Sequence, residues 1–191
     1  MSVTYISFDC ESVGGGNPAD IPLINIGFVA YNEKKEFLDE LSINLKPQKV
    51  DPDTLTWWKS TPELLKAYEE CTKEPVYEPE EGMKVIETWV KKLSGRVTWV
   101  AYPSIYDGSM LYFYWYKYLG HPSGRGCGFN MIDIRSFASG KLGISYADAS
   151  KERHLKPYVP LNFPHTHTGI DDAREQMFLY FNILECKKGS Q

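Results

Sequence analysis

Apolar and polar positions along the chain separate strands from helices. Residues 3–8 (Val-Thr-Tyr-Ile-Ser-Phe) are β-branched and aromatic and predict a strand, with a glycine-rich loop, Gly14-Gly15-Gly16-Asn17-Pro18, soon after. Residues 23–31 are apolar almost throughout and predict a mostly buried second strand. A polar turn at 32–35 leads into alternating residues 36–45, a third strand, so an antiparallel meander is expected. Residues 47–52 break the pattern. Helices are predicted over 54–59 and over 62–71, where Thr61 before Pro62 is a start signal, and over 79–93, where Met83, Ile86, Val90 and Leu93 share one side. A strand over 96–101, a helix over 109–119, a short strand over 130–134 and a long helix over 170–186 complete the reading. This order predicts an α/β fold: a mixed central sheet, three antiparallel strands followed by parallel ones, with helices on both faces and ligands at the strand ends. Residues 120–128, with four glycines and Pro122, predict a loop.

At 191 residues the chain suits one α/β domain spanning 1–191, and 42% hydrophobic and 14% aromatic content fits a packed core. No stretch approaches the roughly 20 apolar residues of a membrane span, so no membrane partner is expected. The amino terminus has no basic region followed by an apolar run, so no signal peptide is expected. Cys10, Cys71, Cys127 and Cys186 are scattered and form no Cys-x-x-Cys pair, which favours reduced thiols in a cytoplasmic setting over disulfides or a zinc site. A net charge of −4 argues against a long duplex footprint. An enzyme gripping a few terminal nucleotides escapes that objection, because metal ions can supply the positive charge. The run Lys151-Glu152-Arg153-His154-Leu155-Lys156 reads equally as a local phosphate contact or as a solvated helix face.

The chemistry-bearing residues fall in three distant segments. Asp9 and Glu11 flank Cys10 at the end of the first strand. Side chains alternate there, so the two carboxylates share a face about 6.6 Å apart at the backbone. Carboxylates held so close repel unless a cation sits between them, and a hard divalent ion is the natural occupant. A strand simply ending in acids before a loop is the alternative. Asp107 follows the strand over 96–101, either as a ligand or as a helix N-cap. In His167-Thr168-Gly169-Ile170-Asp171-Asp172, Thr168 and Asp171 predict a capping box, and Asp172 falls in a first helical turn, where the dipole favours an anion. A loop histidine and ordinary first-turn acids are the plainer reading of that segment. One metal site accounts for all three segments, whereas the plain readings need a separate cause for each.

Asp9-x-Glu11, Asp107 and the His167 to Asp172 spacing resemble the DEDDh branch of the DnaQ-like 3′–5′ exonucleases, whose fold is RNase H-like; the resemblance runs from near residue 3 to near residue 184. Ile24-Asn25-Ile26-Gly27 is similar to that family's second strand. The branch with tyrosine in place of histidine is disfavoured, because Thr168 stands four residues before Asp172. Thr54-Leu55-Thr56-Trp57-Trp58 and Asp133-Ile134-Arg135-Ser136-Phe137 resemble a compact exoribonuclease subgroup known from mycobacteria and phages. The resemblance implies two divalent ions, Mg²⁺ or Mn²⁺. Asp9 would be shared between them, Glu11 and Asp172 would complete one site and Asp107 would serve the other. His167 would be the general base, nucleoside 5′-monophosphates would leave RNA 3′ ends, and a homodimer is admitted.

Trp57 and Trp58 are candidates for stacking on terminal bases, though neighbours on a helix cannot both face one way. Gly14 lies beside the acids and lets a backbone approach substrate; Asn25 and Arg135 complete the candidate substrate contacts. The dense aromatic run over 112–118 is apolar nearly all round, which predicts burial or a subunit interface, with core packing favoured. His165 and Asp171 have the wrong spacing to replace His167 and Asp172. The alternatives to an exoribonuclease are an exodeoxyribonuclease acting in trans, with DNA as partner, and a non-catalytic nucleic-acid-binding module.

Overall fold

The computed structural model describes residues 2–17, 20–121, 127, 130–161, 163 and 166–186. Strands β1 (Val3–Ser12), β2 (Leu23–Asn32) and β3 (Phe37–Leu45) form the expected antiparallel meander. Parallel strands extend it on both sides: β4 (Val76–Tyr77) beside β3, β5 (Arg96–Ala101) beside β1, and β6 (Met131–Asp133) beside β5. The order is β4-β3-β2-β1-β5-β6, so β1 and β2 are central, and β2 is buried along nearly its whole length. That double-sided burial is why residues 23–31 read as an unbroken apolar run.

Helices α1 (Pro52–Trp58), α2 (Pro62–Thr72) and α3 (Pro79–Lys92) each start with proline. Asp51 and Thr61 cap the first two by accepting from the backbone N–H groups of Thr54 at 2.8 Å and Leu64 at 3.2 Å. Helix α3 and α4 (Ser104–Leu119) cover one sheet face, burying Met83, Ile86, Leu111 and Trp115 against Phe8, Phe28 and Trp99. Helices α5 (Ile134–Leu142) and α6 (Gly169–Glu185) cover the other, burying Ala138, Ala173, Met177 and Tyr180 against Val29 and Val100. A third cluster, with Val13, Ile24, Trp58, Leu64, Ala67 and Cys71, seats α1 and α2 at one end of the sheet.

The structure corrects the sequence reading in three places. Helix α4 begins at Ser104, five residues ahead of the predicted start at 109, because its first turn carries Asp107 and no core-facing periodicity. Helix α5 gave no signal: only Ile134 and Ala138 are buried on it, and Asp133, which accepts from Ser136 at 2.6 Å, and Gly143 at φ 70° bound it. The aromatic run on α4 is one-sided, with Tyr114 and Trp115 buried but Phe113 and Tyr116 exposed at 40% and 58%. Buried Tyr114 also fastens α4 to the start of β2, donating to the Ile21 carbonyl at 3.0 Å and accepting from the Leu23 N–H at 2.8 Å. Most of the predicted loop over 120–128 lies outside the described residues.

Helix α6 approaches the sheet backbone to backbone. A Cβ placed on Gly27 would lie 2.0 Å from the Gly169 carbonyl carbon and the Ile170 nitrogen; one on Gly169 would lie 2.6 Å from the Gly27 nitrogen and 2.8 Å from the Asp9 carbonyl. Gly27 pairs with Asp9 across β1 and β2, so this contact sets the height of α6 above the Asp9 position. Gly27→Ala is therefore expected to cost stability at or above the usual overpacking range of about 1–3 kcal/mol. Gly140→Ala, inside α5 with open space around the added carbon, is expected to be neutral or to stabilise by up to about 1 kcal/mol. Chemical denaturation of the two variants checks both, and equal midpoints would refute the close-approach constraint.

Candidate active site

The end of β1 sends Asp9 and Glu11 to one face and buries Cys10 in the opposite core. The Cys10 backbone N–H, between the two acids, donates to Asp107 Oδ1 at 3.2 Å and so docks the first turn of α4 onto β1. Asp107 is not an N-cap; that position is Pro103, and Asp107 lies buried within the first turn. Asp172 occupies the first turn of α6, and His167 sits just before it. One donor atom from each of Glu11, His167 and Asp172 falls within 4.8 Å of the others. Asp9 Oδ1 accepts from Gln176 Nε2 at 2.7 Å, one turn beyond Asp172 on the same face of α6.

Burial and crowding perturb Asp9, Glu11 and Asp107 in one direction. Burial pushes the Asp9 carboxyl well above the usual range, and the negative charges of Asp107 and Asp172 push it further, opposed by Lys151 and the Gln176 amide. Glu11 is raised well above its ordinary value by burial, then by Asp9, Asp172 and Asp107. Asp107 is pushed up to about 7, chiefly by burial, with the Cys10 N–H opposing. Lys151 pairs with buried Glu175 on α6 at 2.5 Å, so much of its charge is already compensated. An oxygen-rich, anionic donor set carrying one imidazole, short of positive charge, fits hard divalent cations such as Mg²⁺ or Mn²⁺.

The turn carrying His167 is held in an uncommon backbone conformation, with φ at 53° in the left-handed region. Its carbonyl accepts from the Cys71 thiol at 3.7 Å, and its ring meets Trp57 edge to face with centroids 5.8 Å apart. The Gly169 N–H donates to Asn25 Oδ1 at 2.9 Å. The predicted capping box does not form. Thr168 holds the N-cap position without a capping bond, because Asp171 is drawn outward to Arg174 Nη1 at 2.8 Å and to the Thr166 hydroxyl at 2.8 Å.

The candidate substrate contacts divide. Trp57 is 47% exposed beside His167, whereas Trp58 is 1% exposed and donates its indole N–H to the Ser12 carbonyl at 2.8 Å, which makes it a core residue. Asn25 is buried, and its amide N–H group bridges to Asn44 Oδ1 at 2.7 Å and Ser42 Oγ at 3.0 Å, so it holds the framework. Arg135 is engaged elsewhere, donating to the Tyr146 carbonyl at 3.1 Å and lying over the Tyr146 ring. Gly14 packs on Pro22, where a Cβ would meet Pro22 Cδ at 2.8 Å. His165 lies outside the described residues. Sequence reasoning missed Gln176, whose i+4 spacing from Asp172 was the available signal, and Tyr106. The Tyr106 side chain, next to Asp107, is 47% exposed and hydrogen-bonds the Ser12 side chain.

No protein-family model and no curated protein sequence matches the chain. Solved structures do. The nuclease domain of 3′hExo, a DEDDh family member bound to rAMP, is 16% identical with a TM-score of 0.66, and the match covers 96% of this chain and 92% of that one. E. coli exonuclease I in its zinc-bound complex with single-stranded DNA is 11% identical with a TM-score of 0.69 over 96% of this chain, which spans only 40% of that protein. A 3′-exonuclease that recognises the 3′ end of the histone mRNA stem-loop is 12% identical with a TM-score of 0.65, covering 95% of this chain and 63% of that one. The chain therefore shares the fold of these solved structures, a mixed sheet with three antiparallel strands flanked by helices. Among the described residues no helix is long and apolar enough to cross a membrane.

A carboxyl whose folded pKa is raised binds more protons in the folded state, so its contribution to stability is full below its unfolded pKa and is lost as pH climbs through the folded value. For Asp107 that window runs from the ordinary 3.8 to about 7, and Asp9 and Glu11 act in the same direction. In chelator, stability is expected to fall from pH 4.5 to 8. Added Mn²⁺ is expected to raise the unfolding midpoint most at the alkaline end. Thermal unfolding across that pH series checks it, and a metal response independent of pH would count against the assignment.

Proposed function

We propose that the chain is a single metal-dependent 3′–5′ exoribonuclease domain, removing nucleoside 5′-monophosphates from unpaired RNA 3′ ends. The observation that carries this reading is the convergence of Glu11, His167 and Asp172 within 4.8 Å, with Asp9 and Asp107 on the same patch. Asp9, Glu11, Asp107 and Asp172 would hold two divalent ions, which supply positive charge to the scissile phosphate and make water more acidic. An imidazole nitrogen of His167 takes the proton of the attacking water; the phosphorus–O3′ bond breaks, leaving a 3′ hydroxyl on the shortened strand. Trp57 and Tyr106, half-exposed beside His167 and Asp107, offer faces on which unpaired bases stack without sequence preference. Buried, unpaired thiols at Cys10, Cys71 and Cys127 support a cytoplasmic setting.

RNA is favoured because the chain spans 92% of the 3′hExo nuclease domain, crystallised with rAMP, but 40% of exonuclease I, crystallised with DNA. End-labelled RNA and DNA oligonucleotides of matched sequence, incubated with Mn²⁺ or chelator, test both the reaction and the sugar. Stepwise 3′ shortening, faster on RNA and abolished by Asp172→Ala, is expected; binding without cleavage would make the chain a binding module instead. His167→Ala is expected to lower the rate by roughly 10²- to 10⁴-fold. Trp57→Ala is expected to raise KM by the equivalent of about 1–3 kcal/mol, the cost of one lost base stack.

A further inference from the structure

Asp171 stands next to a candidate metal ligand yet points away from the acids. Its Oδ2 accepts from the Thr166 hydroxyl at 2.8 Å, and the Thr168 hydroxyl lies 3.3 Å from the same oxygen and 2.8 Å from the Thr166 hydroxyl. Each hydroxyl has one proton, so the three groups form a closed set in which Thr166 donates to Asp171 while Thr168 donates to either. Thr166 and Thr168 are the two neighbours of His167. Asp171 Oδ1 is fixed in turn by Arg174 Nη1 at 2.8 Å, and Arg174 is anchored to Glu40 on β3, with Nε 3.0 Å from Oε2 and Nη2 2.5 Å from Oε1. The residues flanking His167 are thus tied, through one carboxylate and one guanidinium, to the sheet.

We propose that Asp171 is a positioning residue for His167. A non-glycine residue at φ 53° persists only where its surroundings hold it, and Asp171 does so by gripping both flanking residues at once. The Cys71 thiol on the His167 carbonyl closes the turn from the α2 side. Freed from this brace, the turn relaxes and the imidazole leaves the Glu11 and Asp172 donors. Asp172 itself, held by α6 and the Gly27 contact, stays in place. The role assigned to Asp171 rests on the reading of His167 as general base.

The test uses the full chain carrying Asp171→Asn, whose single acceptor oxygen can serve the threonines or Arg174 but not both. The expected result is a kcat on labelled oligoribonucleotide lowered about 10- to 100-fold, the scale of a small misplacement of a reacting group. KM, Mn²⁺ affinity by electron paramagnetic resonance and the unfolding midpoint stay near wild type, and the His167 ring signals move in ¹H–¹⁵N NMR. Thr166→Val, which removes one hydroxyl and keeps the shape, is expected to act in the same direction and carries the test should Asp171→Asn fail to fold. Unmoved His167 signals with unchanged kcat overturn the proposal, as does a loss of Mn²⁺ binding that parallels the loss of kcat. His167→Ala at wild-type rate would remove the general-base reading alone, because the ring signals still report whether Asp171 holds the turn.

Discussion

Everything at this site depends on how close helix α6 can come to the sheet. Gly27 on β2 and Gly169 at the start of α6 meet with no side chain between them, at a separation where even a methyl group would overlap backbone. Through that contact the first turn of α6, with Asp172, and its next turn, with Gln176, reach the Asp9 side of β1. The Gly169 N–H is satisfied by buried Asn25, so the helix start gives up one of its unpaired donors to the sheet rather than to water. Cβ groups at these positions would lift the helix, and with it one of the four acids, off the other three.

The electrostatics run against the fold. Asp9, Glu11 and Asp107 are all less willing to ionise than free carboxyls, because burial strips their water and the charge of Asp172 adds to the field on each. A protein under selection for stability alone would place amides or apolar groups there. Strain of the same kind appears in the backbone, where His167 occupies the left-handed region next to this cluster. Desolvated like charges and a strained histidine, both held by a well-packed scaffold, are the signature of a site whose cost is offset elsewhere in the core.

Much of this was legible in the sequence, for reasons that differ residue by residue. Strand periodicity alone places Asp9 and Glu11 on one face, and helical periodicity alone buries Met83, Ile86, Val90 and Leu93. The start of α4 was not legible, because Ile105 and Tyr106 in its first turn are exposed and core-facing apolar periodicity begins only at Met110. Sequence could state that only one of Trp57 and Trp58 faces outward; the choice of Trp58 as the buried one depends on the cluster with Leu64 and Ala67, supplied by a different helix. The capping box failed for a similar reason. Thr168 and Asp171 have the right spacing, but the pattern omits Arg174, which competes for the carboxylate from one turn further on. Asn25, Arg135 and Gly14 were named for nearness to motifs, and hydrogen bonding or packing within the fold accounts for each.

An acidic chain that acts on a polyanion must draw positive charge from somewhere. The net charge is −4, and two cations near the acids are already engaged, Lys151 with Glu175 and Arg174 with Glu40 and Asp171. Neither is placed to grip phosphate without giving up a carboxylate partner. On the proposed function, ions held by the acid cluster would supply phosphate attraction as well as chemistry. On the same proposal the strand would be recognised by contacts that need no charge, the faces of Trp57 and Tyr106, which suit unpaired ends because only an unstacked base presents a free face. The proposed function would thus separate two tasks that basic nucleic-acid-binding proteins combine: aromatic rims would choose the conformation of the substrate, and metal ions held by the acids would fix its phosphate.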